Sequence, residues 1–406
     1  MANIKKIHVD QLRTGMVVAK LDRDWLDTPF MMQGFMIEDT DDARVVAQYC
    51  EHVWIDTDLS RGSATTSGEG TATSAPSEPL PEYQCPVEEE HERIQEAFKG
   101  SRLRTRDLHD DIRLGQSIDS DAIRETVDDC VTSVLRNPDA LLWMSKIREE
   151  SEYTAEHSLN VCILAVVFGR HLGYGQSDLE KLGLCGLLHD IGKMRVPLEI
   201  LEKPGKLTTK EMNMMKAHTV HGRNLLLSTP SIDPIVIDAA YSHHERMDGA
   251  GYPRKMTADK ISRFARIISI VDTYDAITAD RCYSKARPST VALKIIYEER
   301  GKQFDDELAL QFIKAIGLFP VGSVVELYSG EIGIVVETNQ QRRHLPRVVI
   351  VLDNAHKEKE QHKIVDLLHI EEGDLSSDFL IKKVLPDGEF GVYLRTYQEK
   401  GILLNY

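Results

Sequence analysis

Hydrophobic and polar positions change their period several times along this chain. Apolar alternation over Lys6–Leu12 and Met16–Leu21, split by the turn pair Thr14-Gly15, predicts two short strands. Asp41–Cys50 has helical spacing with Thr40 or Asp41 as its cap, and His52–Asp56 predicts a closing strand. From Ser60 to about Pro86 the residues turn to Ser, Thr, Ala, Gly, Glu and Pro, which cannot bury enough apolar surface to offset chain entropy. Glu88–Asn137 reads as charged helix with Ile94, Phe98, Leu108, Ile112, Ile123, Val127 and Val131 as its buried stripe. Asn137-Pro138 predicts a further helix start, running through Leu141, Leu142 and Ile147. Helical spacing continues to about Leu318, interrupted at Gly173, Lys203-Pro204-Gly205 and Asp248-Gly249. After Phe319-Pro320 the period becomes two: Ser323–Tyr328 and Gly333–Glu337 flank the hairpin signal Ser329-Gly330, Arg347–Leu352 is rich in β-branched residues, and Asp387-Gly388 suggests another hairpin.

These patterns predict a multidomain α+β protein. A small N-terminal α/β unit (1–59) is followed by a flexible linker (60–87), a helical connector (88–143), an all-α core (144–319) and a small β-rich domain (320–406). With 42% hydrophobic residues the 406-residue chain can support real cores, whereas a net charge of −16 argues against binding long nucleic acids. A small anionic ligand is compatible with that charge if metals and a few basic side chains supply local positive potential. The six cysteines show no paired spacing, which suits a reducing compartment. No signal peptide and no apolar run long enough for membrane insertion are evident, so a cytoplasmic location is expected.

The chemistry concentrates in the helical core. His189-Asp190 closes the apolar run Leu184–Leu188, where an imidazole beside a carboxylate is costly unless both are paired or bound to metal. His157 lies early in a helix and means little alone. Lys193 would share the side of His189 and Asp190 if that helix continued, and Gly192 would let a ligand approach. His218 and His221 stand three residues apart. His243 and His244 are adjacent, so both reach one ion only near a helix end, which the break Asp248–Gly251 supplies. Glu245 is a candidate to orient a liganding histidine. Asp272 sits among aliphatic residues, with Asp275 one turn later as a packing or capping neighbour.

The strings LLHDIGK, LEKPGKLT, HHERMDGAGYP and IVDTYDAITADRCYS, in that order over about residues 145–318, resemble the HD superfamily of metal-dependent phosphohydrolases and, within it, the HD-GYP subgroup. The resemblance implies an all-α HD-type core and hydrolysis of the bacterial second messenger cyclic di-GMP to pGpG or GMP. It implies two divalent ions, iron or manganese: His157, His189, Asp190 and Asp272 hold one, and His218, His243 and His244 hold the other, with Asp190 bridging. Lys193 is implied to assist at the scissile phosphate, Arg281 to contact the nucleotide, Gly251 and Tyr252 to shape the pocket, and Lys285 to touch substrate. His221 is expected to orient or pack nearby. Some members carry a glutamate one turn before the first histidine, which allows a third ion. Here that position is Tyr153, so two ions are expected. A sensor that binds the dinucleotide without turnover, or an enzyme acting on another cyclic dinucleotide, are the alternatives. The N-terminal unit is the expected seat of a signalling partner or homodimer contact, and the stretch Glu88–Leu142 offers length for an interchain helical contact.

Overall fold

The computed structural model describes residues 4–23, 35–37, 40–57, 83–146, 153–280, 285–340 and 342–401. Two compact units divide at Pro79, and the expected linker lies almost wholly outside the described residues. In the first unit, β1 (Ile4–His8), β2 (Val17–Leu21), β3 (Phe35–Met36) and β4 (His52–Asp56) form an antiparallel sheet in the order β1-β4-β2-β3. Helix α1 (Thr40–Tyr49) contributes Val46 to the core that buries Val18, Leu21 and Val53. The first strand ends earlier than its alternation suggests. His8 accepts the Asp10 N–H and starts a short 3-10 turn, so Val9–Gln11 leave the sheet.

The second unit begins with α2 (Val87–Arg113) and α3 (Ser120–Arg136) in place of one continuous helix. Gly115 takes φ +83°, a conformation that ends a helix at little cost, and Asp119 then caps α3 by accepting the N–H groups of Asp121 and Ala122. All seven residues of the predicted stripe, Ile94 to Val131, are buried. Asn137 caps α4 (Pro138–Ser145), with Pro138 at its first turn.

Helix α5 (Tyr153–His171) is the centre of the unit. Its residues from Ala155 to Arg170 are buried on every side, the mark of a core helix and not of an amphipathic one. The longer helices that follow are α6 (Gln176–Leu188), α7 (Thr209–Lys216), α8 (His218–Leu227), α9 (Pro234–Ser242), α10 (Arg263–Thr278), α11 (Ser289–Glu298) and α12 (Asp306–Ile316), of which α6, α10 and α12 pack on α5. Gly186 sets the α5–α6 spacing, because a Cβ there would lie 2.7 Å from the Cys162 backbone. None of the helices described is long and apolar enough to cross a membrane.

Strands β5 (Val324–Leu327), β6 (Ile332–Glu337), β7 (Arg347–Leu352), β8 (Glu358–Asp366) and β9 (Ile381–Leu385) make an antiparallel sheet ordered β8-β7-β6-β5-β9. The hairpin at Ser329-Gly330 forms, joining β5 to β6. The one suggested at Asp387-Gly388 does not. Asp387 instead accepts the Leu394 N–H at 2.9 Å, and Gly388 at φ +87° turns the chain into the helix Leu394–Glu399. The sheet and helices are stitched together: Asp139 accepts from the Thr338 N–H at 2.7 Å, and Arg343 donates to the Ala315 carbonyl.

Candidate metal centre

Four separate helix ends and one helix face deliver the buried site. His157 comes from the first turns of α5, His189 and Asp190 follow the end of α6, and His218 opens α8. His243 and His244 follow the last residue of α9, while Asp272 lies on α10. The break after α9 falls where the adjacent histidines required it.

Helix α6 does not continue through Lys193. Asp190 leads into a 3-10 turn, Ile191–Arg195, yet Lys193 still hydrogen-bonds Asp190 through its ammonium. Gly192 serves a different purpose from the ligand access expected of it. A Cβ at that position would lie 1.9 Å from the His218 carbonyl oxygen and 2.3 Å from the Gly222 nitrogen. The absent side chain lets the backbone of the His-Asp turn sit against α8.

Two groups of donors result, His157–His189–Asp190–Asp272 and Asp190–His218–His243–His244, with the ligand atoms of each within 4.8 Å of one another. Asp190 divides its carboxylate between them. Its Oδ2 lies 3.5 Å from His157 Nε2 and 3.2 Å from His189 Nε2, whereas Oδ1 lies 3.2 Å from His218 Nε2 and 3.7 Å from His243 Nε2. Asp272 Oδ1 is 3.2 Å from His157 Nε2.

The outer nitrogens fix the tautomers. Nδ1 of His189 faces the Gly186 carbonyl at 2.7 Å, that of His218 the Met215 carbonyl at 2.7 Å, and that of His243 the Ala240 carbonyl at 3.1 Å. Carbonyl oxygens only accept, so in the neutral ring Nδ1 carries the proton and Nε2 presents a lone pair. The Nε2 atoms of His218 and His243 then face each other at 3.4 Å, and the Nε2 of His189 faces a carboxylate oxygen. Facing lone pairs in a dry site repel unless a cation lies between them. Both His189 Nε2 and Asp190 Oδ1 are buried without a hydrogen bond among the described residues. Nitrogen and oxygen donors free of thiolate suit divalent first-row metals, so the residues present fit such ions.

Charge in the pocket is polarised accordingly. Burial opposes ionisation of Asp190, but Lys193 and His189 beside it hold the carboxyl well below the usual range. Asp272 is likewise held low, burial being outweighed by His157 and His189. Burial pulls His218 down to about 3, and His244 well below its ordinary value, so both rings are neutral. For His157 burial acts downward, yet Asp190, Asp272 and Asp275 together push it up to about 10.

Asp275 is the site residue that sequence reading undervalued. It accepts from His157 Nδ1 at 2.7 Å and so fixes the direction of that imidazole, turning its Nε2 toward Asp190 and Asp272. Its position three residues after Asp272, on the same helix face, was the available signal. Glu245 does not bond a histidine. It accepts the N–H groups of Arg254 at 2.6 Å and Met256 at 2.9 Å, closing the loop that carries Gly251 and Tyr252. That loop folds tightly, since a Cβ on Gly251 would lie 2.4 Å from the Arg246 nitrogen. The Tyr252 ring stacks on His244 with centroids 4.6 Å apart. His221 is half-buried one turn along α8, outside both donor groups. Lys285 is exposed, and Arg281 lies outside the described residues. Glu156 is buried and bonded to Arg102 of α2, and Glu152 lies outside the described residues.

Comparison with known proteins matches residues 143–308 to the HD domain family and residues 4–123 to a domain of unknown function. A Pseudomonas aeruginosa protein named cyclic di-GMP phosphodiesterase is 36% identical over 370 residues, covering 90% of this chain and 89% of the relative. The chain belongs to the HD-GYP family. Two further relatives match over shorter stretches of the chain. One, from Vibrio cholerae and named 3'3'-cGAMP-specific phosphodiesterase 3, is 37% identical over 171 residues, 42% of this chain and 37% of the relative. The other, from Thermotoga maritima and named cyclic di-GMP phosphodiesterase, is 34% identical over 169 residues, 40% and 46% of the respective chains.

Proposed function

We propose that the chain is a metal-dependent phosphodiesterase that hydrolyses cyclic di-GMP to pGpG, GMP or both. The observation that carries this reading is the division of Asp190 between two donor groups, which suits a pair of divalent ions sharing one carboxylate. His157, His189 and Asp272 would complete one ion's shell and His218, His243 and His244 the other's. Ions so held supply Lewis acidity and lower the pKa of water, the chemistry that phosphodiester hydrolysis needs at neutral pH. The donor set does not select among first-row divalent metals, nickel and cobalt included, and the family resemblance points to iron or manganese.

The protein's own side chains prepare the rest. Asp190 is ionised at neutral pH and pinned by Lys193, so its two oxygens keep fixed directions. The Lys193 ammonium has three N–H bonds, and those not used by Asp190 can meet charge developing on a phosphate oxygen. Tyr252 floors the entrance over His244. Gly251 keeps that floor close to the histidine pair, and Arg281 and Lys285 are assigned to the nucleotide beyond it.

Three relatives from Vibrio cholerae bear names specifying 3'3'-cGAMP, which makes that mixed dinucleotide the second reading. Turnover of cyclic di-GMP, 3'3'-cGAMP and cyclic mononucleotides by anaerobically prepared protein loaded with Fe(II) or Mn(II) decides between them. Tight binding with no product would replace the enzyme by a sensor. Elemental analysis of the same loaded protein should give two ions per chain, and three would overturn the dinuclear assignment.

A further inference from the structure

A cyclic dinucleotide carries two phosphates on opposite sides of its ring. If one meets the Asp190 clusters, the other must settle elsewhere in a protein of net charge −16. Arg281 and Lys285 are given to the nucleotide in the function proposed above, and two further cations near the clusters are already engaged. Lys193 is bonded to Asp190, and Arg254 on the rim is paired with Asp238 at 3.1 Å and with Ser242.

Lys216, the last residue of α7, differs from both. It is exposed, and its ammonium makes no ion pair among the described residues. Its Nζ stands 4.9 Å from the centre of the Tyr252 ring, which also stacks on His244 at 4.6 Å and 27° and meets His218 edge-on at 6.5 Å. An exposed cation and two donor-group imidazoles thus share one phenol ring. The π face holds the ammonium at the entrance without neutralising it, leaving its N–H bonds for an anion.

We propose that Lys216 is a substrate-positioning residue that receives the phosphate of the cyclic dinucleotide remote from the Asp190 clusters. The inference rests on the function proposed above and assigns the lysine to binding, not to bond cleavage. The test compares Lys216→Ala and Lys216→Arg with the unaltered protein on cyclic di-GMP and on bis(4-nitrophenyl) phosphate, a diester with a single phosphate. Lys216→Ala should raise KM for the dinucleotide about tenfold, the scale of one charge-assisted contact, with kcat within about twofold. Lys216→Arg should restore KM, and both variants should keep the metal content and chromogenic turnover of the parent. An unchanged dinucleotide KM overturns the proposal. So does an equal loss on both substrates with reduced metal content, which would make Lys216 a support of the centre. If the unaltered protein cleaves the chromogenic diester and leaves every cyclic dinucleotide intact, the function itself falls and takes this role with it.

Discussion

Asp190 shows how much a single carboxylate can decide. Its two oxygens point at different imidazoles. Asp190→Ala should therefore remove both shared ligands at once. Metal content should fall well below that of the parent and turnover by at least about a thousandfold, with helical circular dichroism retained. Normal metal content in that variant would reject the shared-carboxylate arrangement. His157 gives a second residue-scale outcome. Without metal it holds a proton up to about pH 10, because three carboxylates outweigh its burial. A liganding imidazole must lose that proton, so ion uptake releases it and apparent affinity rises with pH throughout the range below 10. Calorimetry of Mn(II) binding in buffers of different ionisation enthalpy measures the release directly. Zero proton release at pH 7 would contradict it.

Among elements, the contact between the His-Asp turn and α8 is the tightest constraint in the site. Gly192→Ala would drive a methyl into the His218 carbonyl and the Gly222 backbone, neither of which can swing aside. Separating them displaces His218 from Asp190, so we expect a stability loss of about 3 kcal/mol or more together with loss of metal. A variant with parental melting temperature and metal content would show that the turn has slack. The same contact illustrates what spacing alone missed. Gly192 read as room for a ligand, because a sequence does not reveal which backbone will pass nearby. Lys193 read as a continuation of helix, yet the helix stops at Leu188 and a tighter turn still brings its ammonium to Asp190. The histidine pair was legible for a firmer reason: adjacent imidazoles need a helix end, and α9 does end beside them at Ser242, ahead of the Asp248–Gly251 break that the sequence offered.

At the scale of the molecule, the helical core and the C-terminal sheet behave as one unit joined through buried polar contacts. Asp139 is fully buried, and burial pushes its carboxyl up to about 6 against the Thr338 bonds that lower it. Its unfolded value is near 3.9, so the stability it contributes is present below pH 4 and is lost as pH rises through 6. The difference amounts to about 3 kcal/mol at one pKa unit per 1.4 kcal/mol. Asp139→Asn should accordingly lose less stability than the parent between pH 4 and pH 7 in urea denaturation. Parallel pH profiles for the two proteins would place the charge cost elsewhere.

Period and composition alone marked the helical core, the strands that follow it and the residues able to bind metal, because periodicity reports which faces are buried and a charged imidazole–carboxylate pair is costly in an apolar run. They did not determine where α2 ends, what Gly192 makes room for, or that Asp275 and backbone carbonyls orient the histidines. Those features depend on groups distant in the chain meeting at hydrogen-bond distance, and only the packed structure brings them there.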